Sequence, residues 1–414
     1  MKVVHVSALH LGGAANAAER LHQGLLQSGV ESVFVTKFKH NSKRKNHLSY
    51  MEHRSIRHFI NAGLERYLFK NIFPPLRGYT KDTVLFTSPH SLYHPEILKV
   101  IEESDIVHLH WISHFVDYES FFKRINKPVV WTLHDMNPFT GGCHYSGDCT
   151  KYETTCTECP QIIDTKQPMA ANNYFEYKVA ALKSSKNLAI VTPSTWLLNL
   201  SKKSFLFKDF PHYHIRHGFN TAIFTLLDRQ VCRKKWGIPE NKINLLFVVH
   251  SSTAKMKGFD MLIQALDLIP GDRLHLTIAG KQMDTFQSNH ISYTSFGYVQ
   301  DEEILAEIYN TGDLFITPSL RDNLPNTVGE SLLCGTPVLC FNIGGLSEMI
   351  TPGINGLFAS GLDAQSLANA ILHFINEPGQ FDRNKIHEEA KRVYDLNRST
   401  RQYVDLYRAL LNRD

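Results

Sequence analysis

Two acidic residues eight positions apart are the side chains of this chain whose types and spacing best suit ligand chemistry. Asp322 and Glu330 lie in the stretch 318–338, PSLRDNLPNTVGESLLCGTPV, directly after the short apolar run 314–317. The apolar run is typical of a buried strand, and residues 328–334 are typical of a helix that ends at Gly335. Asp322 is therefore predicted on the connecting loop and Glu330 in the first helical turn.

The start of this predicted helix is suited to hold a diphosphate. The backbone N–H groups of its first turn, contributed by Asn326, Thr327 and Val328, have no partners within the helix and attract anions. A neighbouring carboxylate can accept hydrogen bonds from sugar hydroxyls. The alternative interpretation is a solvated loop acid and a Glu that merely favours the positive end of a helix.

Two lysines precede another predicted helix. The segment 250–258, HSSTAKMKG, follows the apolar strand 244–249 and contains Lys255 and Lys257. Lysine ammonium groups neutralise phosphates, and ligands of parallel α/β sheets bind at the carboxyl ends of strands. The lysines and the two acids are therefore expected at the same edge of one sheet. A basic, solvent-exposed loop is the alternative.

In the N-terminal half, glycines and a histidine follow predicted strands. Gly12 and Gly13 connect the first strand to the first helix, where glycine lets a ligand approach the backbone closely, although a plain turn explains them equally well. The spacing is not G-x-G-x-x-G, so a nicotinamide cofactor is not indicated. His134 closes the strand 129–134 and is suited to hydrogen-bond a sugar hydroxyl, with a structural histidine as the alternative.

Four of the seven cysteines fall within 17 residues of polar loop. They are Cys143, Cys149, Cys156 and Cys159. Thiols so close together in a cytoplasmic chain argue for a structural Zn²⁺ with four thiolates and no open catalytic position. Free thiols, or two disulfides in an exported protein, are the alternatives. His108 and His110 alternate with apolar residues, which favours packing on one sheet face over a metal pair.

Length and composition exclude several classes of protein. The 414 residues predict two domains, and 43% hydrophobic with 20% charged residues excludes a disordered chain. No apolar run approaches the roughly 20 residues that span a bilayer, and the N-terminus lacks the pattern of a signal peptide. We therefore expect a cytoplasmic protein, with the inner face of the membrane as the place of any membrane contact.

The basic charge is local. Residues 37–81 contain 11 Lys or Arg and two acids, so the rest of the chain is at net −5 although the whole is at +4. Residues 57–69 can be drawn as an amphipathic helix, which suits peripheral contact with a membrane or an acidic, lipid-linked acceptor. Nucleic acid is less favoured because the basic residues are confined to one insertion. A solvated helix face is the simplest alternative.

Predicted strands and helices alternate through both halves, which indicates two α/β domains with doubly wound parallel sheets. We predict an N-terminal Rossmann-like domain over 1–219 that includes the cysteine-rich insertion, and a linker over 220–241. A C-terminal Rossmann-like domain that binds the nucleotide sugar follows over 242–390. A terminal helix over 391–414 is expected to pack back on the first domain, which is expected to bind the acceptor. The two domains are expected to face a cleft.

A series of motifs resembles the retaining GT-B glycosyltransferases of family 4 over nearly the whole chain. In order they are GGAANAAERLHQGLLQSG, TLHD, TPSTW, HGFN, KG, DNLPNTVGE and CGTPV. The segment from Asp322 to Glu330 resembles the family's E-x7-E motif with Asp in the first place. The segment DMNPFTGGCHYSGDC is similar to a subgroup that makes bacterial exopolysaccharides, including colanic-acid-type enzymes. Ser252 stands where the family usually has Arg, and His217 where it usually has Asn.

The resemblance implies a role for each candidate residue. Glu330 would bind the donor ribose, Asp322 with the following loop amides the transferred sugar, and Lys257 the diphosphate, with Lys255 in place of the usual Arg. His134 would lie near the donor sugar, and Gly12 and Gly13 beside the diphosphate and the acceptor.

The implied reaction transfers a sugar from a UDP- or GDP-sugar to a saccharide or lipid-linked saccharide in bacterial polysaccharide synthesis. It would retain the anomeric configuration, with the departing diphosphate helping to deprotonate the acceptor, and would need no metal or other cofactor for catalysis. The alternatives are an epimerase or phosphorylase on the same two-domain plan, or a zinc-containing protein that binds sugar nucleotides or lipid head groups without turnover.

Overall fold

The computed structural model describes residues 1–38, 46–53, 78–80, 83, 85–183, 185, 187–249, 257–281, 290–377 and 379–412. Lys255, Ser252 and most of the basic segment 37–81, including the amphipathic pattern over 57–69, lie outside these residues. The chain divides into two compact units, the first comprising 1–215 and 400–414 and the second comprising 216–399.

The first unit contains a seven-stranded parallel sheet. Its strands are β1 Lys2–Ser7, β2 Glu31–Thr36, β3 His47–Ser49, β4 Ile106–Leu109, β5 Val129–Thr132, β6 Leu188–Thr192 and β7 His212–His214, in the spatial order β3-β2-β1-β4-β5-β6-β7. The helices of this unit are α1 Gly13–Gln27, α2 Lys99–Glu102, α3 Tyr118–Arg124, α4 Ala170–Leu182 and α5 Thr195–Lys203. Every pairing in the sheet is parallel.

The second unit contains a six-stranded parallel sheet. Its strands are β8 Ile243–Val248, β9 Leu274–Ala279, β10 Ser292–Ser295, β11 Leu314–Thr317, β12 Val338–Phe341 and β13 Gly356–Ala359, in the spatial order β10-β9-β8-β11-β12-β13. Its helices are α6 Arg229–Trp236, α7 Phe259–Asp267, α8 Glu302–Thr311, α9 Asn326–Leu333, α10 Ala364–Asn376 and α11 Arg383–Tyr394. The last helix, α12 Leu396–Leu411, begins in this unit and continues into the first.

Both sheets are covered on both faces, because successive strand residues enter different cores. In the first unit, Val4 and Val6 belong to one hydrophobic cluster while Val3 packs in another. In the second unit, Leu246 of β8 packs in one hydrophobic cluster and Leu245 in another. This arrangement explains the nearly continuous apolar strands of the sequence. The prediction of two doubly wound parallel-sheet domains is confirmed.

Residues 220–241, predicted as a linker, contain helix α6 and belong to the second unit. The helix begins at the N-cap Asp228 and ends at Gly237, which has a left-handed φ of 66°. The segment is polar because the last turn of α6 contains three basic residues. One of them, Arg233, is buried together with Cys232. A short amphipathic helix on a domain surface therefore has the composition of a linker.

Helix α12 contributes aromatic residues to the first unit. The hydroxyl group of Tyr403 lies 2.9 Å from Thr132 Oγ1, and that of Tyr407 lies 2.6 Å from His108 Nδ1. Both tyrosines pack in the cluster that contains Val3 and Ile106. None of the helices in the described ranges is both long and apolar enough to cross a membrane.

Candidate functional site

An ion pair joins the loops that follow β8 and β11 in the second unit. Lys257 Nζ lies 2.5 Å from Asp322 Oδ2, with the lysine side chain 33% exposed and the aspartate side chain 8% exposed. Asn323 N also donates to Asp322 Oδ1 at 3.1 Å. The structure thus brings together two residues that are 65 positions apart in sequence. Because an ammonium group has three donors, Lys257 retains donors for a further anion.

The approach of the two loops depends on Gly258. This residue is the N-cap of α7 and has a φ of 78° in the left-handed region. A Cβ atom built on it would lie 2.1 Å from the carbonyl oxygen of Pro318, the residue that follows β11. Only glycine tolerates both the dihedral and the contact, so Gly258 fixes the position of its neighbour Lys257.

Glu330 is fully buried in helix α9, which begins at Asn326, two residues before the predicted start. The Tyr309 hydroxyl group donates to Glu330 Oε2 at 3.0 Å. The N-cap of α9 is Pro325, and no side chain caps the first turn. The positive end of α9, formed by Asn326, Thr327 and Val328, is therefore not screened by a capping side chain, although the Val328 N–H donates to Pro325 O at 3.2 Å.

His217, where the family usually has Asn, contacts the same turn. Its Nδ1 atom lies 3.1 Å from Asn326 Oδ1. The imidazole can thus donate to the amide oxygen and fix the orientation of the Asn326 side chain. Sequence reasoning recorded the substitution but did not predict this contact.

In the first unit, the turn after β1 leaves backbone uncovered. Gly12 is the N-cap of α1 with a φ of 102°, and no side chain caps this helix. A Cβ atom on Gly12 or on Gly13 would have no atom within 4 Å. This surface of the turn is open, as the approach of a ligand to the backbone requires.

His134 follows β5, is half-buried, and contacts a chain of buried histidines. Its Nε2 atom lies 3.4 Å from His110 Nδ1, and His110 Nε2 lies 2.9 Å from His5 Nδ1. Burial lowers the pKa of His134 to about 4, against the opposite effect of the adjacent Asp135. The imidazole is therefore neutral at physiological pH and can both accept and donate a hydrogen bond.

Asp135 organises the loop that follows His134, a role that sequence reasoning missed. It lies 2.7 Å from His144 Nδ1 and accepts hydrogen bonds from Trp111 Nε1 at 3.1 Å and from Asn137 N at 2.8 Å. Although burial raises its pKa, His144 and the hydrogen bonds lower the pKa of Asp135 below its usual value. The motif DMNPFTGGCH could have indicated this role, because its Asp135, Asn137 and His144 form the hydrogen bonds that hold the loop.

The four cysteines of the predicted zinc site are free thiols on the next part of this loop. Gly141 N donates to Cys156 Sγ at 3.2 Å. Burial raises the pKa of Cys143 and of Cys156 to about 12. The buried Lys178 lies beneath them and donates to the carbonyl groups of Asn137 at 2.5 Å and Thr140 at 3.0 Å.

The thiols do not form a closed ligand set. Within the described ranges, one group of at least three His, Cys, Asp or Glu side chains has all its ligand atoms within 4.8 Å, and it is His5, His108 and His110. Its imidazoles are largely hydrogen-bonded, since His108 contacts Tyr407 at 2.6 Å and Thr132 at 2.7 Å. We interpret these histidines as a buried hydrogen-bond network. This agrees with the prediction that His108 and His110 pack on one face of the sheet.

The second unit matches a known family. Residues 228–393 match the family model described as glycosyl transferases group 1. Among curated proteins, the chain is 24% identical over 360 residues to a putative colanic acid biosynthesis glycosyl transferase, WcaC, of Escherichia coli strain K12, covering 82% of each chain.

Solved structures share the fold. Sucrose-phosphate synthase from Thermosynechococcus elongatus superimposes with a TM-score of 0.67 at 16% identity, covering 100% of both chains. Anabaena HepE, whose structure is a complex with UDP-glucose, superimposes with a TM-score of 0.61 at 14% identity, covering 99% of this chain and 100% of HepE. These neighbours have the GT-B fold, as the sequence predicts.

Proposed function

Because this chain is a GT-B glycosyltransferase with a group 1 domain over residues 228–393, we propose that it transfers a sugar from a nucleoside diphosphate sugar held by its second unit. The observation that carries the proposal is the Lys257–Asp322 ion pair between the loops after β8 and β11, because the second of these loops leads into the uncapped first turn of α9 and the buried Glu330. Cation, helix N-terminus and carboxylates are the groups that a diphosphate and sugar hydroxyls need.

In this proposal each residue of the second unit has one task. Lys257 and the first-turn amides of Asn326 and Thr327 bind the diphosphate, joined by the Val328 amide once it leaves its bond to Pro325 O, and Glu330 accepts hydrogen bonds from the ribose hydroxyls. Asp322 accepts from hydroxyls of the transferred sugar while its other contacts hold it against Lys257. Lys255 is assigned to the diphosphate from the resemblance alone.

The residues assigned to the reaction in the first unit are His134, Gly12 and Gly13. A neutral His134 hydrogen-bonds the transferred sugar, since its pKa of about 4 keeps the imidazole uncharged at neutral pH. The open space beside Gly12 and Gly13 leaves room for the diphosphate and the acceptor next to the backbone. These assignments follow the family motifs that the positions match.

The chemical step we propose breaks the bond between the anomeric carbon and the diphosphate oxygen, and forms a bond to an acceptor hydroxyl on the same face. The departing diphosphate takes the hydroxyl proton, so no protein nucleophile is needed. Negative charge grows on the leaving group in the transition state, where Lys257 and the α9 amides stabilise it. Retention and the absence of a catalytic metal ion are part of this proposal.

The acceptor we propose is a saccharide or lipid-linked saccharide of a bacterial polysaccharide. The supporting observation is the similarity to the E. coli protein, whose name refers to colanic acid biosynthesis, over most of both chains. UDP and GDP sugars are the donor classes to be compared. Contact with a membrane through residues 37–81 and a cytoplasmic location stay predictions.

The test of this function is release of nucleoside diphosphate. The purified chain is incubated with UDP- and GDP-sugars with and without saccharide acceptors, and both nucleotide release and product are measured. Acceptor-dependent release with a retained anomeric configuration supports the proposal. Binding without release would indicate the non-catalytic alternative, and inversion at the anomeric carbon would contradict the mechanism.

We also propose a structural Zn²⁺ held by Cys143, Cys149, Cys156 and Cys159. Four cysteine thiolates are a donor set that suits zinc. Cys156 Sγ already accepts a hydrogen bond from a backbone N–H group, and such bonds stabilise thiolates. Burial lowers the pKa of Lys178 to about 7, and Cys143 and Cys156 lie close enough to raise it electrostatically, so thiolates at these positions would favour the charged ammonium group. Four thiolates around Zn²⁺ carry net negative charge, which would compensate this buried cation.

The ion would have to draw the thiols together, because they are not a closed set in the structure. It would stabilise the loop and take no part in the reaction. Metal analysis of protein purified without chelator should find about one zinc per chain, and Cys156→Ser should abolish it while Cys340→Ser, a change at a buried cysteine of the second unit, should not. Metal-free, stable wild-type protein would contradict the proposal.

A further inference from the structure

A cavity lies in the second unit, at the edge of the sheet opposite the Lys257 and Asp322 loops. Its volume is about 410 Å³, within the range of small-molecule sites. Ile243 begins β8, while Arg273, Asp313 and Pro337 directly precede β9, β11 and β12, and all four line the cavity. The cavity is therefore at the amino ends of the strands, away from the residues assigned to the donor.

The lining of this cavity carries excess positive charge. It includes two carboxylates, Glu240 and Asp313, and five cations, which are Arg229, Arg233, Lys242, Arg273 and Arg383. Asp313 is shared by two of them, with Oδ1 at 2.7 Å from Arg229 and Oδ2 at 2.5 Å from Arg233. One carboxylate thus serves two guanidinium groups. In the contacts that the structure gives, the donors of Arg383 go to Asn310 Oδ1 and the Cys334 carbonyl group, which are neutral.

Three nitrogen atoms of the lining have no hydrogen-bond acceptor in the part of the chain that the structure describes. They are Arg229 Nε, Arg383 Nε and Gln380 Nε2, and all are buried. Burial lowers the pKa of Arg383 to about 10, and the nearby Arg229 adds to this effect. Buried donors without acceptors destabilise a fold and are rare in native proteins, so three in residues that line one cavity indicate a missing acceptor.

We propose that this cavity binds a phosphate monoester of a small organic molecule, with the phosphate oxygens accepting from Arg229, Arg383 and Gln380. Guanidinium groups pair with phosphate through parallel hydrogen bonds, and three donors match its several oxygens. Phe374 and Phe381 line the same cavity with ring centroids 6.1 Å apart and planes inclined by 22°. These rings offer an apolar surface to the organic part, which free phosphate lacks.

The cavity is connected to the helix that carries Glu330. Arg383, which lines the cavity, donates through Nη2 to the carbonyl oxygen of Cys334 at 3.2 Å, and Cys334 is the C-cap of α9. The guanidinium group therefore holds the end of α9 opposite the turn assigned to the donor. Occupancy of the cavity would fix the same side chain that anchors this helix.

Calorimetric titration of the full chain with a hexose phosphate and with inorganic phosphate tests the inference. The hexose phosphate should bind more tightly than inorganic phosphate. Arg229→Gln should weaken its binding about tenfold or more, because a charged donor is lost while Arg233 still pairs with Asp313. Gln380→Leu removes a second donor without breaking an ion pair, and should also weaken binding.

Two controls separate this cavity from other anion sites. Lys235→Gln removes a cation of α6 outside the cavity, and Lys257→Ala removes the cation assigned to the donor. Both should bind the hexose phosphate as the wild type does. The inference is overturned if the wild type binds no phosphate ester, if Arg229→Gln and Gln380→Leu bind normally, or if Lys257→Ala alone abolishes binding. Equal affinity for inorganic phosphate would overturn the assignment of an organic ligand.

Discussion

Lys257 Nζ lies 2.5 Å from Asp322 Oδ2, so a single ion pair connects the loop after β8 to the loop after β11. The lysine is 33% exposed and the aspartate 8%, which leaves the ammonium accessible on one side. In the proposed reaction this ammonium faces the departing diphosphate. The pair would then position the cation before the donor binds, so that little reorganisation is needed in the transition state.

Lys257→Ala should lower kcat/KM for the donor by roughly 10²–10³, the usual cost of removing one preorganised donor to developing negative charge. Steady-state kinetics with the preferred donor measures this. Lys235→Ala is the matched control, since Lys235 Nζ also contacts a carboxylate, Glu307 Oε2 at 2.6 Å, but is 53% exposed and away from the site. Normal activity of Lys257→Ala, or an equal loss in the control, would contradict the assignment.

Gly258→Ala should both destabilise the protein and reduce its activity. The added Cβ atom would lie 2.1 Å from Pro318 O, and its φ of 78° is unfavourable for alanine. Gly237→Ala is the control, because Gly237 has a φ of 66° with nothing within 4 Å of the added atom. The control should cost about 1 kcal/mol of unfolding free energy and leave kcat/KM unchanged.

Chemical denaturation and kinetics on both glycine variants separate the two effects. A larger loss of stability in Gly258→Ala, with reduced kcat/KM in the folded fraction, is the expected result. Equal stability and equal activity of the two variants would show that the contact with Pro318 does not position Lys257.

The folded-state pKa of His134, about 4, predicts a pH dependence of stability. The pKa is lower than the value near 6.5 in an unfolded chain, so between these values the unfolded state binds a proton that the folded state does not. The free energy of unfolding is therefore not reduced by His134 above about pH 6.5, and it decreases as the pH falls from there towards 4.

Unfolding free energies measured from pH 7.5 to 4.5 should decrease more steeply for the wild type than for His134→Asn. His373→Asn, a change at a side chain that is 54% exposed, serves as the control and should follow the wild type. Identical slopes for wild type and His134→Asn would show that burial does not hold this imidazole neutral.

The central strands could be predicted from the sequence because they are continuously apolar. Strands β1 and β8 are buried over nearly their whole length, which marks them without any knowledge of their partners. Strands β3, β7 and β13 were not predicted. The first two are the three-residue segments HLS and HYH, whose strand conformation comes from pairing with a neighbour rather than from their own composition.

The residues of the candidate site that directly follow strands could be predicted from the sequence. The contacts that form within a folded loop could not. Asp322, Glu330 and Lys257 were found because the ends of parallel strands meet at one sheet edge. The contact between Asp135 and His144 depends on how a loop closes on itself. Lys178 of α4 is fully buried and donates to two carbonyl groups of that loop, which depends on the same closure.

In the proposed function, the first turn of α9 and the buried Glu330 on the same helix bind the nucleotide part of a sugar donor. Glu330 accepts from Tyr309 through Oε2, so Tyr309→Phe is a control that removes this support while keeping the carboxylate. The most direct measurement is calorimetric titration of wild type, Glu330→Ala and Tyr309→Phe with UDP and GDP. We expect the wild type to bind one of the two nucleotides, Glu330→Ala to bind it about tenfold or more weakly, and Tyr309→Phe to show a smaller loss. Equal nucleotide affinity in wild type and in a folded Glu330→Ala would contradict it.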